Sequence, residues 1–156
     1  ANSSGFMNST APTSSVFTVN TLNVANGNNL EYIAYCWAEI QGYSKFGKFE
    51  GNGNADGPFV YTGFKPAWLI IKRTSSSGDW LLWDNKRDTS NVTDAVLKPN
   101  SNAAENTGYW YIDFLSNGFK IRATDAEINQ SGGTLIYMAF AEHPFVSSKG
   151  VPVTAR

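Results

Sequence analysis

The chain has 156 residues, of which 42% are apolar and only 16% charged, and Asn, Ser, Thr and Gly fill the place of the missing charges. Twelve basic against thirteen acidic residues leave a net charge of −1, which excludes the basic footprint that nucleic-acid backbones and anionic membranes attract. Cys36 is the only cysteine, so an internal disulfide framework is excluded, and at this length a fold buries roughly 70% of its unfolded surface without one.

In chain order, the first thirty residues are punctuated by Asn2-Ser3-Ser4-Gly5, Asn8-Ser9-Thr10 and Asn26-Gly27-Asn28-Asn29. These side chains compete for the backbone and disfavour helix. Between them Val16-Phe17-Thr18-Val19 predicts a short strand. Residues 31–39 are apolar at both alternating sets of positions, which predicts a central strand covered on both faces. Further strands are predicted over residues 43–50, 59–62, 67–72, 79–84, 109–114, 118–123 and 133–141. Loops rich in Gly, Asn and Ser separate them, and residues 85–107 form the longest irregular stretch. Short strands at a spacing of about ten residues, with no 3.6-residue apolar period, predict an all-β protein. The expected architecture is an antiparallel β-sandwich, jelly-roll-like, with long polar loops and little or no helix.

Three segments recur in order. Residues 33–39 lie over 136–142 at an offset of 103, residues 15–19 over 117–121 at 102, and residues 4–6 over 107–109 at 103. A unit of this size is an ordinary small domain. Residues 43–145 are then expected to be one complete sandwich, residues 1–42 the closing strands of a preceding one or part of the same sandwich, and residues 146–156 a C-terminal tail. The opening on Ala1 is expected to reflect a processed or partial chain.

Chemistry-bearing motifs are few. His143 and Cys36 supply too few ligands for a transition-metal site. Asn52, Asn54 and Asp56, followed by Gly57, imitate the opening of a calcium loop, but position twelve is Gly63 and only one carboxylate is present, so a tight turn is the expected role. Asp79, Asp84, Asp88, Asp94 and Glu105 could serve glycoside hydrolysis, yet their spacing pairs no two of them. No catalytic residue and no cofactor is therefore assigned. The aromatic excess points elsewhere. Trp80, Trp83, Tyr109 and Trp110 sit among amides and carboxylates, the combination that stacks on sugar rings while pairing their hydroxyls. The same rings suit a β-sandwich core.

Several stretches resemble a known family: Gly42-Tyr43-Ser44-Lys45-Phe46-Gly47, Asp56-Gly57-Pro58-Phe59-Val60-Tyr61-Thr62-Gly63-Phe64, Asp113-Phe114-Leu115-Ser116-Asn117-Gly118-Phe119-Lys120, and Tyr137-Met138-Ala139-Phe140-Ala141-Glu142. Together they resemble a domain family of tailed-bacteriophage virion proteins, often marine, usually labelled tail fibre or minor structural protein. The resemblance covers nearly the whole chain and carries no assigned chemistry. It implies a location in the virion, self-association (a trimer being usual for fibres), contact with other virion proteins, and adhesion to a host-surface polysaccharide or protein.

Overall fold

In the computed structural model residues 6–144 are described. The chain divides into two compact units, with the boundary between Ala38 and Glu39. The expected tail, residues 146–156, lies outside the described residues.

The second unit is an antiparallel two-sheet protein, as the sequence predicts. Its strands are β1 (Ser44–Glu50), β2 (Phe59–Tyr61), β3 (Pro66–Arg73), β4 (Leu81–Asp84), β5 (Ile112–Leu115), β6 (Gly118–Ile121) and β7 (Thr134–Ala141). One sheet has the order β1-β7-β3-β4 and the other β2-β6-β5. β7 is thus a central strand, paired to β1 from Ser44↔Phe140 to Glu50↔Thr134 and to β3 on its other edge. Side-chain alternation decides the core. Leu69 and Ile71 of β3, Leu81 and Trp83 of β4, and Leu135, Tyr137 and Ala139 of β7 point inward from the four-stranded sheet. Ile112, Phe114, Phe119 and Ile121 meet them from the three-stranded sheet. The Phe119 ring joins the layers, edge-on to Tyr137 at 5.3 Å and to Phe49 at 5.8 Å.

Two close approaches need glycine. A Cβ on Gly118 would sit 2.1 Å from the Val60 carbonyl oxygen, where β2 meets β6. Gly47 is the register partner of Tyr137, and its missing side chain leaves room for that ring, which a Cβ would approach to 2.9 Å.

The helices are α1 (Asn23–Asn26), in the first unit, and α2 (Ala126–Asn129), which carries the chain from β6 to β7. Ile128 on α2 is fully buried at the core's end.

In the first unit the expected strands at residues 16–19 and 31–39 do not form: among its described residues the only regular element is α1. Hydrogen bonds between its loop segments hold it instead. The Asn20 N–H donates to the Phe6 carbonyl at 2.9 Å, and the Tyr32 hydroxyl accepts from Gly27 N and donates to the Asn23 carbonyl. Apolar side chains on both alternating faces are exposed, Ile33 by 81%, Tyr35 by 75% and Trp37 by 56%. A strand requires a neighbouring ladder and cover for its faces, and the unit supplies neither to residues 31–39.

Candidate functional site

The four aromatic candidates separate into two kinds. Trp83 is fully buried on the inward face of β4, and its indole N–H donates to the Trp110 carbonyl at 2.9 Å. Trp110 is also buried, and its own N–H donates to Asp125 Oδ1 at 3.0 Å. That carboxylate caps α2 by accepting from Glu127 N. Trp83 and Trp110 are therefore corrected from candidate surface contacts to core side chains. Burial of the indole ring demanded a partner for each N–H, and the two partners tie the layers to α2.

Trp80 and Tyr109 remain on the surface. Trp80 is partly exposed at the entry to β4, where its backbone N–H donates to Asn100 Oδ1. Tyr109 is 64% exposed and tilts on Trp110 with ring centroids 6.1 Å apart. It borders an open groove of about 310 Å³ shared with Tyr111, Arg122, Thr124 and Asp125. The Tyr111 hydroxyl donates to the Gly108 carbonyl, which holds the ring at the rim. Arg122, which lines the groove, reaches Asp113 through Nε at 3.5 Å. An apolar ring face, a cation and a carboxylate within one groove suit a hydroxylated ligand with a negative group. A second recess, lined by Lys65, Asn85, Asp88 and Asn91, has about 70 Å³, too little for a sugar ring.

The calcium-like loop is closed by its own side chains. Asn52 Oδ1 accepts from Asn54 N, Asn54 Oδ1 accepts from Asp56 N, and Asp56 pairs with Lys120 at 2.6 Å. The lysine beside it, through its hydrogen bond first, holds Asp56 below the ordinary carboxylate range. Asn129, visible in sequence only as the head of an Asn-x-Ser triplet, is what pins this loop. Fully buried, it accepts from Asn52 N and Gly53 N and donates to the carbonyls of Asn54 and Ala123. All four hydrogen-bonding positions of the amide are used. The loop is a structural clasp, and among the described residues no group of three His, Cys, Asp or Glu side chains converges.

The acidic candidates are likewise engaged. Asp84 and Glu105 share Arg87, each at 2.6 Å, and Asp79 pairs with Lys98 at 2.8 Å. Asp88 accepts from Asp94 N and Asp94 from Gly108 N. Burial pushes Asp84 up, but the backbone and side-chain hydrogen bonds of Arg87 and the Lys86 N–H outweigh it, and the carboxyl lies below its ordinary value. Lys98 also stands 4.8 Å from the centre of the Trp110 ring.

The outer face of the four-stranded sheet carries a second feature. Phe140 of β7 is met edge-on by Tyr43, Phe46 and Trp68 at 5.9, 6.0 and 5.5 Å, and all these rings are only half-buried. Met138 and Ile70 extend the patch along the register.

The fold and groove define an antiparallel two-sheet domain that presents the exposed Tyr109 ring over a polar groove and carries an apolar sheet face. The chain belongs to the family described as a domain of unknown function, DUF7483, which matches residues 1–144. Comparison with the curated proteins and with the solved structures finds no match.

Proposed function

We propose that this is a non-enzymatic structural protein of a tailed-bacteriophage particle, a tail-fibre, spike or appendage domain that adheres to the host surface. The observation that carries the adhesive role is Tyr109, a large ring left 64% exposed beside Arg122 and Asp125 when neighbouring aromatics went into the core. Such a ring stacks on pyranose faces while the charged groups meet hydroxyls or an acidic substituent. The virion location rests on the family resemblance of residues 42–64, 113–120 and 137–142. A weakly charged, turn-rich surface suits an extracellular particle.

A second reading is favoured by the Phe140 patch. A flat apolar sheet face is the surface by which a capsid decoration or tail-assembly protein binds only copies of itself and other virion proteins. On the first reading the same face joins the subunits of a fibre, where a trimer fits. A third reading, a fragment of a glycan depolymerase, needs two carboxylates facing across a groove. Asp84, Glu105 and Asp79 are instead turned to Arg87 and Lys98.

The test is antibody labelling of the particle combined with binding of the chain to cell-surface polysaccharides. Adhesion predicts label on distal appendages and a loss of polysaccharide binding of about tenfold for Tyr109→Ala, the equivalent of roughly 1.4 kcal/mol. Label on the head, with no polysaccharide bound, selects the assembly reading. An absence of label on any particle overturns both.

A further inference from the structure

We infer that residues 15–39 are the closing β6–α2–β7 element of a preceding copy of this same sandwich, and that their partner is the β1–β4 portion of that copy, lying upstream on the same polypeptide. The recurrence in sequence already aligned residues 15–19 with β6 and 33–39 with β7. The helices recur at the same spacing. Helices α1 and α2 are each four residues long, each ends on Asn, and Asn26 precedes Asn129 by 103 residues.

In the complete sandwich Phe119 of β6 and Tyr137 of β7 belong to different sheets and meet across the core. Their counterparts in the first unit, Phe17 and Ala34, both line one open groove of about 680 Å³, which Val16, Tyr35, Cys36 and Trp37 share. The large apolar side chains on it, Val16, Phe17, Tyr35 and Trp37, are exposed. Cys36 stands where Ala139 is fully buried, yet Cys36 is exposed. Asn26, counterpart of the clasp residue Asn129, is exposed as well.

The sheet order limits what can cover this surface. β7 is seated between β1 and β3, so a strand of its type needs a sheet with that central place open. The described sandwich has filled it with its own β7, and a second copy of this chain therefore offers no vacant place. Strands of the β1 and β3 type, and a loop like residues 51–57 for Asn26 to clasp, fall in the upstream repeat at this spacing.

The sole thiol reports on the inference. Cys36 is titrated with an aromatic disulfide reagent in the natural polypeptide and in the 156-residue chain. The expected result is a natural chain that extends upstream and reacts at least about a hundredfold more slowly, as local opening of a buried strand requires. Asn26→Ala in the natural chain is expected to raise that reactivity and lower the thermal midpoint, and to change neither in the 156-residue chain. Equal reactivity in both polypeptides, or a natural chain starting at Ala1, overturns the inference. So does protection of Cys36 in the 156-residue chain that grows with protein concentration, since a second copy would then be the partner. Neither readout depends on where in a particle the protein resides.

Discussion

The two units of this chain are an experiment in context, because stretches of like sequence pattern meet different fates in them. Phe119 and Ile121 of β6 are fully buried, whereas their counterparts Phe17 and Val19 are 47% and 38% exposed. β7 has a hydrogen-bonded neighbour on each edge, and residues 33–39, with a nearly matching alternation, form no strand. The lesson is that β-forming residue types specify a surface to be paired and covered, and the strand exists only where other segments supply the ladder and the second layer. α1 and α2 differ less, since a four-residue turn closes on its own backbone.

The sharpest break in the comparison is expected from matched truncations. Phe119→Ala removes a ring that contacts both Tyr137 and Phe49 across the core and should cost about 3–5 kcal/mol. Phe17→Ala in the same chain should change stability by under about 0.5 kcal/mol, because its ring is already half in water. Urea unfolding followed by tryptophan fluorescence reads both, and equal losses would mean that the two units are packed alike.

The matched amides come next. Asn129→Ala removes the acceptor of the Asn52 N–H and the donor to the carbonyls of Asn54 and Ala123, while Gly53 N–H keeps its bond to the residue-129 carbonyl, for an expected loss of about 1–3 kcal/mol. Asn26→Ala should leave the 156-residue chain within about 0.5 kcal/mol of its parent, measured by thermal melting. A large effect at Asn26 in this chain would contradict its exposure.

A smaller effect is expected from acid. Asp84 and Glu142 both lie below their ordinary values, Glu142 first through its hydrogen bond to Lys65. A carboxyl depressed in the folded state contributes stability that is complete above its unfolded value of about 4 and is lost as pH falls through the folded value. The sandwich should therefore be equally stable from pH 6 to 8 and weaken progressively below about pH 4. Arg87→Met should flatten the share of that loss belonging to Asp84. These groups are partly hydrated, so each contributes a fraction of a kcal/mol. Stability that rises on acidification would overturn the assignment.

The smallest expected change in stability is at the groove. Tyr109→Ala should alter the unfolding midpoint hardly at all, by under about 0.5 kcal/mol, while Trp110→Ala should cost about 3–5 kcal/mol by removing a buried ring. Parity between these neighbours would mean that Tyr109 is structural and would remove it from the groove's chemistry.

Much of the fold was legible because its signals are local. Turn formers such as Gly51-Asn52-Gly53 and Ser75-Ser76-Ser77-Gly78 fall between strands whose core lies close to the predicted ranges. The boundaries that moved have tertiary causes. The strand expected from residue 109 begins at Ile112, since Tyr109 turns to solvent and Trp110 bends inward to reach Asp125. The strand expected from residue 79 begins at Leu81, because Asp79 and Trp80 are held by Lys98 and Asn100.

The sequence by itself determined the class of structure, all-β with short antiparallel strands. Period-two alternation and turn chemistry are properties of neighbouring residues and need no fold to be read. Only the tertiary structure decided which aromatics are core and which are surface, that Asn52, Asn54 and Asp56 serve a clasp organised by Asn129, and that residues 31–39 form no strand here. Each of those outcomes depends on partners tens of residues away, Trp83 on Trp110 and Asn52 on Asn129, and such pairings are fixed by packing between layers and not by adjacency along the chain.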